Sequence, residues 1–171
     1  MIISFLHSTT GTTHLISALA AMLLGAFVVL LAKGTRIHKR IGYGYVGAMI
    51  LVNVTAFMLY HLFGTFGPFH IAAIISSTGI VGGMVPVLAR HRFPNWKSYH
   101  YYFMNWSVVG LYAAFWAESL VRLFPMNRFW PVVALATGLT TGLGSYLINR
   151  NKSKFFGSAV EESVPDPSSL N

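Results

Sequence analysis

Four of the seven histidines stand at equivalent places in the chain. Each lies at or near the start of a long apolar run, and they are His14, His38, His70 and His100. A helix N-terminus disfavours the imidazolium form because the helix dipole is positive there, and neutral imidazole is the form that ligates metals. The pattern therefore favours metal or haem chemistry. Hydrolysis is not indicated, because the sequence has no nucleophile elbow, HExxH motif or phosphate-binding loop.

The apolar runs that position these histidines are long enough to cross a bilayer. Hydrophobic residues make up 54% of the 171 residues and charged residues 9%, whereas a soluble domain has about 25% charged residues. A spanning helix needs about 20 mostly apolar residues. Five segments approach that length without the period-two alternation of a barrel strand, and they are 15–32, 41–63, 69–89, 101–123 and 129–148.

These segments predict an all-α fold, an integral membrane up-and-down bundle of five transmembrane helices within residues 1–150. Residues 151–171 contain several Ser, Pro and acidic residues, a composition typical of a flexible tail. Small residues four apart, as at Ala21 and Gly25 or at Gly138 and Gly142, indicate close helix packing. Such faces serve contacts within the chain or between copies in a homo-oligomer.

The basic residues predict the orientation of the bundle. They cluster between the first and second segments, between the third and fourth, and after the fifth. By the positive-inside rule the N-terminus is outside and the C-terminus, with the tail, is cytoplasmic. The net charge of +8 is thereby explained without a nucleic-acid partner, and the expected location is the bacterial inner membrane. The absence of Cys excludes disulfides, thiolate metal sites and Fe–S clusters.

The first functional hypothesis is a b-type haem protein that transfers electrons. Helices one and three are diagonal neighbours in a four-helix bundle, as are helices two and four. His14 would therefore face His70 near the outer surface, and His38 would face His100 near the inner one. Paired imidazoles from facing helices are one way in which proteins hold haem iron.

Charged residues and glycines near these histidines suit the same hypothesis. Lys33, Arg36 and Arg40 surround His38 and could pair with haem propionates. Glycines would leave room for the macrocycle, and the candidates are Gly42, Gly44, Gly47 and Gly110.

Two alternatives remain open. One is a Zn²⁺ or Cu²⁺ site on the outer side, with His14, His61, His70 and Glu118 as ligands. Glu118 is the one acidic residue in the five segments, and an ionisable residue within a membrane is a candidate functional group, although it could also pair with Arg122. The other alternative is an assembly or scaffolding subunit whose histidines lie at interfaces or bind quinone or lipid.

Several of these segments resemble a known family. The relevant residues are His14, the stretch KGTRIHKRIGYGYVGAM at 33–49, the stretch FGPFH at 66–70, and His100 with Met104. Over roughly residues 10–125 the chain is similar to the bacterial predicted membrane proteins classed as domain of unknown function 2306. The resemblance implies a compact helical membrane module in which His14, His38, His70 and His100 recur, and it implies no particular reaction.

Overall fold

The computed structural model describes residues 8–59 and 64–161. All regular structure in these residues is helical, which confirms the predicted all-α class. The helices are α1 (Thr9–Leu30), α2 (Arg36–Met58), α3 (Pro68–Leu88), α4 (Trp96–Val121) and α5 (Phe129–Glu161), with a 3₁₀ turn at Met126–Arg128 before α5.

Four of the five helices are long and apolar enough to cross a membrane. The qualifying stretches are Thr9–Leu30, Arg36–Met58, Pro68–Leu88 and Met126–Ser153. Helix α4 has 26 residues and is long enough, but Tyr, Trp, Asn and Ser make it less apolar. It also has buried residues along its whole length and packs on α1, α3 and α5.

Several helix ends differ from the predicted segments: α1 starts at Thr9 rather than at residue 15, and α4 starts at Trp96 rather than at residue 101. The ends of α2 and α5 matter most for the site. Helix α2 begins at Arg36 rather than at residue 41, because the Thr35 hydroxyl accepts a hydrogen bond from the His38 backbone N–H at 3.1 Å and caps the first turn. Helix α5 continues to Glu161, so the predicted domain boundary at residue 150 falls inside a helix. The remainder of the predicted tail, 162–171, lies outside the described residues.

The first four helices form an antiparallel ring. Each of α1, α2 and α3 packs on the next helix in the chain, α1 also contacts α4, and α5 packs on α4 from outside. The pairs α1–α3 and α2–α4 are therefore the diagonals, as predicted. The core of the ring contains Ala18, Ala21, Tyr45, Met49, Val52, Ile80, Met104, Val108 and Leu111.

Small residues allow the helices to approach closely at three places. A Cβ added to Gly25 would lie 3.0 Å from Cε2 of Tyr45, so α1 needs a glycine where this buried ring packs. On α3, a Cβ at Gly83 would lie 2.6 Å from Sδ of Met104. On α5 the glycine in close contact is Gly144, whereas an added Cβ at Gly138 or Gly142 would meet no atom within 4 Å.

Substitution of Gly144 tests the packing of α5 on α4. In Gly144→Ala the new Cβ would lie 2.4 Å from Cγ2 of Val109, a β-branched side chain with little freedom to move. We expect a loss of stability of about 1–3 kcal/mol, measured as a lower thermal unfolding midpoint in detergent. Gly142→Ala on the same helix is the matched control, and equal midpoints for the two variants would contradict the packing described here.

Candidate functional site

The structure brings the side chains of His38 and His100 together across the interior of the four-helix bundle. His38 is the third residue of α2 and His100 the fifth residue of α4. Their ring centroids are 6.4 Å apart and the ring planes are inclined by 83°. Because α2 and α4 are diagonal and run in the same direction, residues near the two N-termini meet at one end of the bundle.

The nitrogens of these two rings differ in their partners. Nδ1 of His100 lies 3.0 Å from the Gly83 carbonyl oxygen. An imidazole nitrogen that faces a carbonyl carries the proton, so Nε2 of His100 keeps its lone pair. Nδ1 of His38 is buried and has no hydrogen-bond partner within the described residues. A buried polar atom without a hydrogen-bond partner is costly. Nδ1 of His38 lies beside the His100 ring, whose Nε2 keeps a lone pair that can bind a metal.

Both rings line a cavity of about 680 Å³ at this end of the bundle, which we call the histidine cavity. Its wall also includes Tyr45, Met104 and Gly42. A Cβ added to Gly42 would meet no atom within 4 Å. Ligand sites in proteins commonly have volumes of about 300–1,000 Å³. The histidine cavity therefore has the size of a ligand site.

Cations surround the histidine cavity, but they are not the set that the sequence suggested. Lys33 lines the cavity, and its ammonium donates to the carbonyl oxygens of Val28 at 2.8 Å and Val29 at 2.7 Å, which caps the C-terminus of α1. Partial burial of this ammonium lowers the pKa of Lys33 below its usual value. Other cations in the wall are Lys39, Arg90 and Lys97.

Arg36 and Arg40 are exposed and do not line the histidine cavity. The physical reason is that α2 starts at Arg36, so both residues are helical and two positions away from His38. Residues two apart on a helix point to nearly opposite sides. Neither arginine therefore lies in the wall of the cavity, because α2 already begins at Arg36. Their pairing with haem propionates stays a prediction.

Helix α5 also contributes side chains to the wall of this cavity, which the sequence did not predict. Phe155 and Phe156 belong to the segment predicted as a tail, but both line the cavity and pack on Tyr101 with ring centroids 4.7 and 5.5 Å apart. The Tyr101 hydroxyl donates to the Ile148 carbonyl oxygen at 2.9 Å and fixes α5 to α4. Two adjacent aromatic residues after the fifth predicted segment were the sequence feature that could have indicated this packing.

At the opposite end of the bundle, His14 lies between α2 and α4. Its Nδ1 is 2.8 Å from Oγ1 of Thr55, and its Nε2 is 3.9 Å from Oε2 of Glu118. Glu118 also accepts a hydrogen bond from the Arg122 guanidinium one turn along α4. The ion pair between Glu118 and Arg122 that the sequence allowed is thus present, and His14 approaches its other side.

His70, the predicted partner of His14, has a local structural role. It is 4% exposed, and its Nδ1 accepts a hydrogen bond from the Gly67 backbone N–H at 3.1 Å at the start of α3. The ring also stacks on Phe66 with a centroid distance of 4.9 Å. The contacts described for His14 and His70 involve different neighbours and do not join the two rings as a pair.

The residues of the predicted Zn²⁺ or Cu²⁺ site are only partly assembled. His14 and Glu118 are neighbours, whereas His61 lies outside the described residues. Within 8–59 and 64–161 no group of three or more His, Asp or Glu side chains is arranged to hold a metal ion.

A second cavity, of about 1,240 Å³, lies toward the His14 end, and we call it the apolar cavity. Most of its wall consists of apolar and aromatic side chains, with Asn53, Ser76, His14 and Glu118 among the polar exceptions. The hydroxyl oxygens of Tyr45, in the wall of the histidine cavity, and Ser107, in the wall of the apolar cavity, are 2.5 Å apart. This buried hydrogen bond stands between the two cavities.

The comparison with protein families identifies the family of the chain. The model of the family described as "Predicted membrane protein (DUF2306)" matches residues 11–149, which include α1 to α4 and most of α5. The chain belongs to the DUF2306 family. No curated protein and no solved structure matches it significantly. Both cavities of this DUF2306 protein are lined mainly by residues within the matched range.

The hydrogen bond of His14 can be tested through its partner in the DUF2306 chain. The Thr55 hydroxyl is 2.6 Å from the Leu51 carbonyl oxygen, to which it donates, so Oγ1 accepts from Nδ1–H of His14. In Thr55→Val the shape is kept but this acceptor is lost, and an unpaired buried N–H costs about 1–3 kcal/mol. We expect a lower unfolding midpoint in detergent.

Thr78→Val is the matched control for this substitution. The Thr78 hydroxyl also donates to a carbonyl of its own helix, that of Ile75 at 2.7 Å, but it is exposed. Equal stability of the two Thr→Val variants would show that the contact between His14 and Thr55 contributes nothing.

Proposed function

We propose that this DUF2306 protein is a membrane electron-transfer protein that binds one haem b between His38 and His100. The observation that carries the proposal is the separation of the two rings, 6.4 Å between centroids, in a cavity of about 680 Å³. Bonds from first-row metals to imidazole nitrogen are about 2 Å long. Two imidazoles on opposite sides of one iron therefore have centroids about 6 Å apart, close to the observed distance.

The chemistry of the two rings fits axial ligation. The contact of His100 with the Gly83 carbonyl holds the ring and leaves Nε2 as the ligand atom, an outer-shell arrangement that metal-ligating histidines commonly have. His38 has a buried nitrogen whose hydrogen-bonding capacity is unused within the described residues. His38 and His100 would each hold the iron through one ring nitrogen.

The remaining residues of the site would orient the group and shield it. Bound haem b would supply one-electron chemistry through its iron. Lys33, Arg90 and Lys97 in the cavity wall would attract the propionates. Tyr45 and Met104 close the inner side of the cavity, which limits access of water to the iron and so affects its potential.

The proposal includes one haem and does not assign a second haem to the other predicted pair, His14 and His70. His14 already contacts Thr55 and lies near Glu118, and His70 accepts a hydrogen bond from Gly67. The alternative Zn²⁺ or Cu²⁺ site has weaker support, since His14 and Glu118 are two groups and the described residues supply no third ligand. A membrane electron-transfer protein also needs a donor and an acceptor, a redox protein or a quinone.

Substitution of either axial histidine tests the haem proposal. In His38→Ala and in His100→Ala we expect the Soret band of the purified protein to disappear, because each variant removes one of two ligands of the same iron. His91→Ala is the control, since His91 is exposed and absent from the wall of the cavity. The measurement is the absorbance ratio of haem to protein before and after reduction with dithionite.

The other outcomes of this experiment favour other readings. A wild-type protein that is colourless but contains stoichiometric zinc or copper would support the metal site, and one that is colourless and free of metal would support an assembly role. Loss of half the absorbance in each variant would instead indicate a second haem, at His14 and His70.

We further propose that the histidine cavity faces the cytoplasm of a bacterial cell, with the N-terminus outside. The chain has no Cys, so a single introduced Cys reports its own side of the membrane without background. We expect a membrane-impermeant maleimide to label Thr65→Cys on intact cells and to label Asn95→Cys only after lysis. Both positions are exposed in loops at opposite ends of the bundle, and the reverse labelling would invert the topology.

A further inference from the structure

The apolar cavity has buried polar groups in its wall, and one of them has no hydrogen-bond partner within the described residues. Asn53 is 7% exposed and is one of the few polar residues among the buried side chains. Oγ of Ser76 is buried and is the group without a partner in the described part of the chain. Both residues line the cavity. Buried polar side chains are normally hydrogen-bonded, so the Ser76 hydroxyl without a partner, in the same wall as the buried Asn53 amide, indicates a polar ligand.

The position of these groups restricts the chemistry of that ligand. At 1.5 Å rise per residue, Asn53 lies about 8 Å from the C-terminal end of α2 and Ser76 about 12 Å from the N-terminal end of α3. Because the helices are antiparallel, these depths are measured from the same end of the bundle. The polar groups are therefore below the level of lipid head groups, among apolar and aromatic side chains.

A charged head group would be poorly accommodated at that depth. Transfer of a phosphate or carboxylate into an apolar site is costly unless a cation compensates it. The cation in the wall, Arg122, is paired with Glu118, and the Glu118 carboxylate would repel an anion. A neutral head group avoids both costs, which argues against phospholipids and fatty acids.

We propose that the apolar cavity binds a membrane quinone, an uncharged ring with two carbonyl oxygens and an isoprenoid chain. The Asn53 amide and the Ser76 hydroxyl can each donate a hydrogen bond to a carbonyl oxygen. The aromatic part of the wall, with Phe103 and Trp106, suits a planar ring and a long apolar chain. The cavity is also larger than the usual range of about 300–1,000 Å³ for ligand sites, as a ring with a chain requires.

This site deepens the proposed electron-transfer function, because it supplies a lipid-soluble redox partner beside the histidine cavity. The hydrogen bond between Tyr45 and Ser107, 2.5 Å long, connects the walls of the two cavities. The inference rests on the haem proposal for its role in electron transfer. Binding of the quinone itself needs no haem, so the two proposals can fail separately.

The test is binding of decylubiquinone to the purified full-length chain in detergent, followed by quenching of tryptophan fluorescence. Trp106 lines the cavity and provides the signal. We expect saturable quenching with the wild-type protein and an affinity at least about tenfold lower for Asn53→Leu, because the variant loses a buried hydrogen bond to the ligand.

A second variant and a control separate binding from folding. Gly110 lines the cavity and an added Cβ there would meet no atom within 4 Å, so Gly110→Leu is expected to reduce the cavity volume and weaken binding. Gly47→Leu is the control, since Gly47 is equally open but lines neither cavity. Its affinity should equal that of the wild type.

Two results would overturn the proposal. One is quenching that does not saturate or that is the same in all four proteins, which would mean partition into detergent. The other is displacement of decylubiquinone by palmitate at equal concentration together with unchanged affinity in Asn53→Leu, which would identify a lipid-chain site. The assay is independent of the haem content. A colourless protein that binds decylubiquinone as expected would therefore contradict the haem proposal and support the quinone proposal.

Discussion

The contact between α2 and α4 across the ring is the constraint on which both cavities depend. A large side chain fills the centre of the four helices only where small residues leave space, and here Gly25 makes room for Tyr45, which is fully buried. The Tyr45 hydroxyl meets Ser107 on the opposite helix. In a membrane there is little hydrophobic force between helices, so such packing and polar contacts hold the bundle together.

This central contact divides the interior into two different environments. Toward the N-termini of α2 and α4 lies a cavity with two imidazoles and several cations, among them Lys33 and Arg90. Toward the opposite end lies a larger apolar cavity whose carboxylate, Glu118, is paired with Arg122. One end is therefore suited to an anionic group such as a propionate, and the other to a neutral and largely apolar molecule. The proposed haem and the proposed quinone would each occupy one of these two environments.

The sequence predicted the elements of the fold well because the bilayer imposes strong rules. Long apolar runs gave five helices, and alternating direction gave the diagonal neighbours, from which the proximity of His38 and His100 followed. Helix ends were less predictable, since α2 starts at a threonine cap within a basic segment and α5 continues through a polar one. The early start of α2 is also the reason that Arg36 and Arg40 do not line the histidine cavity.

Side-chain partners were harder to predict than helix positions. All four histidines stand near helix starts, but one of them, His70, accepts a backbone hydrogen bond at its own helix terminus, and another, His14, meets a threonine from the neighbouring helix. The sequence assigns the same role to all four, because spacing alone cannot distinguish a capping group from a ring that faces a cavity. The apolar cavity was not predicted either, since Asn53 and Ser76 lie far apart in the chain.

The central claim is that His38 and His100 bind the same iron. Electron paramagnetic resonance of the oxidised, purified protein tests it most directly, because iron with two axial imidazoles is low-spin. We expect a low-spin ferric haem signal in the wild type that is lost in His100→Ala. A high-spin signal in the wild type, which indicates one imidazole ligand, or a protein that shows no haem signal after expression with sufficient haem, would contradict it.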